Sequence, residues 1–191
     1  MQIILASASP RRRELLSLFG APFSVRAADI DETMDLMLPP EREVARVSRA
    51  KAMAVARGED DVVIAADTIV VCGSRVLGKP RTPQEAEEML TLLSGRDHRV
   101  MTGCTVLRGE ASETFTEITT LHFRPLSQRE IRAYVATGEP MDKAGAYGIQ
   151  GGAALFCRGL EGDYYNVMGL PVCRLGRSLS RLAPEVMEDR L

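Results

Sequence analysis

Three apolar residues, Ile3-Ile4-Leu5, run into Ala6-Ser7-Ala8-Ser9-Pro10 and then into Arg11-Arg12-Arg13-Glu14-Leu15-Leu16. That order dictates a strand turning directly into a helix. Ser9 offers an oxygen to the first free N–H groups, and Pro10, with no N–H and a helical φ, suits the first helical position. A helix start favours negative charge by about 0.3–1 kcal/mol per charge, yet three arginines stand here. Free backbone N–H groups, two serine hydroxyls, small residues that permit close approach and adjacent guanidinium forks describe a phosphate-binding turn. The alternative is a solvated basic helix end, in which the small residues have no role.

The 191 residues fit a single domain over 1–191 with a frayed tail from about Pro184 to Leu191. With 24 Lys and Arg against 26 Asp and Glu the chain has no basic field, so it is expected to bind no nucleic acid, and any polyanion it takes must be small and locally gripped. No apolar stretch approaches the roughly 20 residues of a membrane span, and the start lacks the layout of a signal peptide. A soluble, cytoplasmic protein without a membrane partner is the expectation. Cys72, Cys104, Cys157 and Cys173 are widely spaced in apolar runs, which predicts buried reduced thiols and argues against a disulfide framework or a zinc site.

Strand and helix patterns alternate along the chain. Phe23 to Arg26 reads as a short strand, followed by an acidic loop from Asp29 to Asp35 and a helix from Pro39-Pro40 to about Arg57. Val62 to Ala66 is an apolar strand and Ile69 to Cys72 another beside it. Thr82-Pro83-Gln84-Glu85 predicts a capping box ahead of a helix whose stripe is Ala86, Met89, Leu90 and Leu93. Two strands, Arg99 to Leu107 and Thr114 to Phe123, suggest a hairpin. Ser127-Gln128-Arg129-Glu130 is a second capping box, with Ile131, Tyr134 and Val135 facing inward. Gly138 to Gly169 predicts loops and one strand around Ala154 to Cys157, and Pro171 starts a final helix. The fold class is α/β, a mixed central sheet flanked by helices.

Several residues fit no purely structural role. Asp67 closes Val62-Val63-Ile64-Ala65-Ala66, where an open α/β sheet places its ligands; an acid there is paired, coordinates a cation, or is a turn residue pointing into water. Lys51 falls on the buried stripe Val44, Val47, Lys51, Ala54, where a lysine either snorkels or reaches an anion. Lys79 precedes Pro80 in a turn. Asp31-Glu32 is either solvated or supplies further carboxylates to a hard-cation site with Asp67. Gly73 to Lys79 satisfies GxxxxGK, but Pro80 follows where a P-loop needs a hydroxyl and a helical N–H, so the segment is expected to be a hairpin. No GxSxG surrounds Ser7 or Ser9, and His98 and His122 lie in strand-like runs, against a catalytic triad.

Taken together, Leu5-Ala6-Ser7-Ala8-Ser9-Pro10-Arg11-Arg12, Arg49-Ala50-Lys51-Ala52, Ala66-Asp67-Thr68, Gly78-Lys79-Pro80, Asp142 to Gly151 and Asn166-Val167-Met168-Gly169-Leu170-Pro171 closely resemble the Maf family of nucleoside triphosphate pyrophosphatases, once named for an association with septum formation. The resemblance runs from about residue 3 to 182. It implies hydrolysis between the α- and β-phosphates with a divalent cation, Mg²⁺ or Mn²⁺. It also implies a fold with an active-site cleft, similar to that of the inosine triphosphate pyrophosphatases, and a homodimer.

By the same resemblance Asp67 takes the place of the catalytic proton acceptor, Ser7, Arg12, Lys51 and Lys79 match phosphate-side residues, and Glu32 matches an acidic residue of the active-site loop, so that Glu32 and Asp67 are the expected metal carboxylates. Arg11, Thr68 and Gln150 read as in members acting on dTTP and UTP, and the aromatic residue, Asp-Gln and Ser-Glu-Gly of members acting on 7-methyl-GTP are missing. Gly151-Gly152-Ala153-Ala154 varies among relatives and does not fix the shape of the base pocket. Gln150 offers a donor and an acceptor to the O4/N3 edge of uracil or thymine, and a methyl group adds only about 1–3 kcal/mol, so modified pyrimidine nucleotides are expected to enter as well. The expectation is a house-cleaning pyrophosphatase linked to cell-division arrest. Its competitors are a purine- or 7-methyl-GTP-directed enzyme and a non-catalytic nucleotide-binding regulator of septum formation.

Overall fold

In the computed structural model, which describes residues 1–35, 37–56 and 58–187, the chain opens as its first residues dictate. Strand β1 (Ile3–Leu5) leads into helix α1 (Pro10–Ser17), with the Ser9 hydroxyl accepting from the Arg12 N–H. Strand β2 (Phe23–Val25) lies parallel to β1, and helix α2 (Pro40–Val55) follows.

The next strand corrects the sequence reading. The two apolar runs are one strand, β3 (Val62–Cys72), with Asp67 and Thr68 extended inside it. Strand β1 pairs in parallel with β3 only from Val62 to Ile64, and β4 (Arg75–Leu77) pairs antiparallel with it from Val70 to Cys72. Asp67 therefore leaves the middle of a strand, just past the end of its partner β1, and not a strand terminus. The β-branched residues on both sides carry the extended conformation through the polar pair. The GxxxxGK segment is the expected hairpin, turning at Gly73 with φ 59°.

Helix α3 (Pro83–Leu93) buries Ala86, Met89, Leu90 and Leu93. Each leucine contributes about 1.5–3 kcal/mol on full burial, so the stripe fixes the helix face. Its capping box is incomplete: Thr82 accepts from the Glu85 N–H, but the Glu85 carboxylate accepts from Arg81 instead. Strands β5 (Asp97–Arg108) and β6 (Ala111–Phe123) form the expected hairpin across Gly109-Glu110, each longer than its apolar run. Helix α4 (Gln128–Val135) starts at a complete capping box on Ser127. The strand expected around 154 is displaced: Gly152–Leu155 is a 3₁₀ turn, and β7 (Cys157–Glu161) pairs antiparallel with β6. A short α5 (Tyr164–Met168), unforeseen, precedes α6 (Val172–Leu182). The tail is not frayed from 184, because Pro184–Val186 forms a 3₁₀ turn that buries Val186; residues 188–191 lie outside the described residues, as does Arg57 near the end of α2.

The strand order β2-β1-β3-β5-β6-β7, with β4 on β3, confirms a mixed sheet. The chain divides into two compact units, one of Met1–Asp67, Thr102–Glu117 and Gly169–Leu191, the other of Thr68–Met101 and Ile118–Met168. In the first, Ile4, Ala6, Ala52, Val55, Val63 and Ala65 form a core cluster, and α2 approaches so closely that a Cβ on Gly103 of β5 would lie 2.1 Å from the Val44 carbonyl. In the second, α3 and α4 close over an aromatic core that includes Phe123, Tyr147 and Phe156. The four thiols are free, but only Cys72 and Cys104 are buried; Cys157 is half-buried and Cys173 exposed, because the apolar run around it is one face of a helix. Among the described residues no helix is long and apolar enough to cross a membrane.

Candidate active site

The buried face of α2 is not the apolar stripe its spacing suggests. Val44, Val47, Ala52 and Val55 are buried, Ala54 is exposed, and Glu43, Ser48 and Lys51 share the inward face with them. Each of these three polar side chains has a partner, as burial requires. Ser48 shares a hydrogen bond with Thr105 at 2.9 Å. The Lys51 ammonium, its side chain 8% exposed, lies 2.8 Å from Asp67 Oδ1 and 2.8 Å from Glu32 Oε2. Lys51 thus does not snorkel; it reaches an anion, and the anions are the carboxylates of Asp67 and Glu32. Asp67, 17% exposed, does not point into water.

The turn between β1 and α1 supplies a second cation in the same unit. Ser7 Oγ accepts from the Ser9 N–H at 3.3 Å and from Arg12 Nη1 at 3.1 Å, and Arg12 Nε donates to the Gly169 carbonyl at 2.8 Å. Burial lowers the Arg12 pKa, and the charges of Asp67 and Glu32 oppose that shift. Arg12, Lys51, Glu32 and Asp67 carry two positive and two negative charges between them. Arg11 is half-buried one residue earlier, whereas Arg13 is exposed.

The acidic loop is built, not merely solvated. Asp31 and Asp35 accept from the Thr33 and Met37 N–H groups at 2.8 and 2.9 Å. Glu43, 1% exposed, accepts from the Asp35 N–H and from Arg46, whose Nη2 also donates to the Thr33 carbonyl. Arg46 holds the Glu43 carboxyl below its usual range. Residues 33 and 35, just beyond Glu32, are therefore tethered to α2. The spacing of Glu43 and Arg46 was the available signal for this; nothing in the sequence marked the Gly169 carbonyl.

In the second unit Thr68 is the half-buried neighbour of Asp67 along β3, while Lys79 and Gln150 are exposed. Lys79 follows Gly78, whose carbonyl accepts from the Gly145 N–H at 3.0 Å, and it lines a cavity of about 320 Å³ with Arg75, Arg81 and Glu85. His98 is structural: its Nε2 is 2.8 Å from the Tyr147 hydroxyl, and burial pushes its pKa down to about 4. His122 pairs with Asp97 at 2.7 Å.

Among the described residues no group of three or more His, Cys, Asp or Glu side chains is arranged to hold a metal ion. The donor set nonetheless fits a hard cation, since Glu32 and Asp67 already converge on one positive centre. Mg²⁺ is commonly held by one or two carboxylates together with substrate phosphates.

The comparisons agree with the motif reading. The family pattern described as Maf-like protein matches residues 2–182. A dTTP/UTP pyrophosphatase of Moorella thermoacetica is 51% identical over 189 residues, covering 97% of each chain. Another, of a Geobacillus species, is 50% identical over 182 residues, covering 95% of this chain and 98% of its own. A solved nucleoside-triphosphatase / dITP/XTP pyrophosphatase of Mycobacterium abscessus is a weaker likeness, 14% identical with TM-score 0.45, covering 96% of this chain and 100% of that one. A family pattern spanning nearly the whole chain and relatives at half identity over nearly full length place this chain in the Maf-like protein family.

Proposed function

We infer that this chain is a nucleoside triphosphate pyrophosphatase that hydrolyses dTTP and UTP to the monophosphate and pyrophosphate. The observation that carries the reading is the Lys51 ammonium held by Asp67 and Glu32, in the same unit as the Ser7–Arg12 turn at a helix start. The relatives at 50–51% identity bear the name of that activity and support the choice of substrate.

Phosphoryl transfer depends on positioning and countercharge more than on covalent chemistry. Lys51 fixes Asp67 Oδ1, so the other carboxylate oxygen takes the proton from the attacking water. The water's oxygen bonds to the α-phosphorus, and the bond to the pyrophosphate oxygen breaks. Ser7, Arg11, Arg12 and Lys79 receive the phosphates, and the Lys51 ammonium, with three donors and two carboxylate partners, has one donor left for an oxygen of the chain. Glu32 and Asp67 are the residues that would hold Mg²⁺ or Mn²⁺, which supplies charge neutralisation when bound. Thr68 and Gln150 lie on the base side, Gln150 presenting its amide to the O4/N3 edge, and modified pyrimidines sharing that edge are accepted too. Residues 1–191 act as one catalytic domain, a cytoplasmic homodimer with a house-cleaning role.

The test is pyrophosphate release from dTTP, UTP, CTP and 7-methyl-GTP with Mg²⁺, with Mn²⁺ and with chelator, alongside sedimentation of the protein. Metal-dependent release from dTTP and UTP above the other two is expected. Preference for 7-methyl-GTP, or binding without turnover, overturns the reading.

A further inference from the structure

Gln150 stands at the third position of a four-residue turn, Gly148-Ile149-Gln150-Gly151, closed by the Gly151 N–H donating to the Gly148 carbonyl at 3.1 Å. The side chain is exposed. What is built around it is the backbone on either side. The Tyr134 hydroxyl, near the end of α4, accepts from the Gly148 N–H at 3.0 Å and donates to Glu139 Oε1 at 2.9 Å. Glu139 Oε2 accepts from the Gly152 N–H at 3.0 Å. One tyrosine–glutamate pair therefore ties down the residue before the turn's centre and the residue after its end.

The tie is close. A Cβ on Gly151 would lie 2.1 Å from Glu139 Oε1, so a side chain there would displace the carboxylate, and one on Gly152 would make a tight contact of 3.2 Å with the Tyr134 ring. Tyr134 is itself fixed: it is buried and packs edge-on against Phe156 with centroids 5.2 Å apart. Glu139 is fixed by the 3₁₀ turn it begins, where Lys143 Nζ donates to the Glu139 carbonyl at 2.7 Å and to Asp142 at 2.6 Å. A core helix, a short turn and two side-chain groups converge on four residues whose one long polar side chain is Gln150.

We propose that Tyr134 and Glu139 are positioning residues that hold the Gln150 turn in the conformation from which the amide reads a pyrimidine edge, setting base discrimination without touching the nucleotide. The proposal rests on the base-reading role given to Gln150 above. A glutamine has three side-chain torsions, and its amide meets two atoms of a base at once only when its Cα is held still. Loosening the turn costs ground-state recognition of the base and leaves the phosphate chemistry as it was.

The test measures kcat and KM for UTP and CTP on wild type, Tyr134→Phe, Glu139→Gln and Gln150→Ala, together with amide exchange across residues 148–152. Tyr134→Phe keeps the ring and removes the hydroxyl; Glu139→Gln keeps the size and weakens the acceptor, and serves where the first variant folds poorly. A hydrogen bond of net worth about 0.5–1.5 kcal/mol translates into roughly a twofold to thirteenfold fall in the preference for UTP over CTP, carried by KM with kcat within about twofold. Faster exchange at Gly148 and Gly152 accompanies it. Unchanged exchange in both variants overturns the proposal, as does an equal loss on UTP and CTP, or a retained preference where Gln150→Ala abolishes it. If Gln150→Ala itself keeps the preference, the base-reading role is what fails, and faster exchange in the other variants then records only a structural tie.

Discussion

Lys51 and Gln150 are both given to the nucleotide, and the chain treats them in opposite ways. The Lys51 ammonium is buried on the face of a sixteen-residue helix and held at 2.8 Å by two carboxylates from a strand and a loop. Gln150 is exposed on a turn, and burial is spent instead on Tyr134, which holds the turn from behind. A group that must act through charge gains from a dry setting, where electrostatic interactions strengthen, and needs compensation there. A group that selects between bases needs access to the base and a fixed backbone. The first unit thus invests in neutralised charge and the second in a rigid frame for a neutral amide.

The contrast breaks most visibly at Asp67. Asp67→Asn keeps an oxygen for Lys51 and removes the proton acceptor, so turnover on dTTP and UTP is expected to fall by at least about 10²-fold with the fold intact. Steady-state kinetics with circular dichroism measure it; near-normal activity in a folded variant removes Asp67 from the chemistry. Next in size is Lys79, an exposed residue where Lys51 is buried. Removing a charge-assisted contact costs about 1.5–3 kcal/mol, so Lys79→Ala is expected to lose roughly tenfold to a hundredfold in kcat/KM on dTTP and UTP alike. A change confined to base preference would move Lys79 to the other side of the comparison.

Much of this division was legible in the residues. The Ser9-Pro10 start, the stripe of α3 and the capping box at Ser127 are local signals, read from cap chemistry and period. The site's charges were legible as candidates, because Lys51 on an apolar stripe and Asp67 in an apolar run are each anomalous alone. Their meeting was not legible. A polar pair inside β3 looks the same in sequence as a strand end, and the partner of the Asp67 carboxylate is a lysine sixteen positions earlier. The tie from Tyr134 to Gly148 was hidden for the same reason, since it spans fourteen residues and the only local trace is glycine. The arrangement of α2 shows the limit of periodicity: spacing identifies the inward face but does not say that Glu43, Ser48 and Lys51 on it find partners.

A smaller effect is expected on the amide itself. In the proposed base-reading role Gln150 donates to O4 and accepts from N3–H, whereas an ionised carboxylate only accepts. Facing O4 with an acceptor costs roughly 1–3 kcal/mol, so Gln150→Glu is expected to lower kcat/KM for dTTP and UTP by about tenfold. Activity on a base offering a second donor should fall far less. Equal losses on UTP, dTTP, CTP and 7-methyl-GTP would make Gln150 a support of its loop and leave the second unit without a base reader.

The smallest expected effect sharpens the first half of the comparison, because it concerns a residue that touches neither Lys51 nor Asp67. Arg46 grips the buried Glu43 carboxylate with two nitrogens, Nε at 2.9 Å and Nη2 at 2.6 Å, and reaches the Thr33 carbonyl at 3.1 Å, while Glu43 holds the Asp35 N–H. Lysine keeps the charge at this position but has no planar fork, so Arg46→Lys retains one contact and loses the paired geometry. The chain around Thr33 and Asp35 gains freedom, and with it Glu32, whose carboxylate is 54% exposed and meets Lys51 from that loop. The loss of one net hydrogen bond, about 0.5–1.5 kcal/mol, spread over a loop that keeps its Asp31 and Asp35 turns, corresponds to a few-fold change. The expected outcome is a two- to fivefold rise in the Mg²⁺ concentration giving half-maximal activity, with kcat at saturating Mg²⁺ near that of the parent, a range set by the same hydrogen-bond worth. A titration of activity against Mg²⁺ at fixed UTP reads this directly. An unchanged Mg²⁺ requirement with reduced kcat would place Arg46 in the support of α2 alone and detach the acidic loop from the charged cluster.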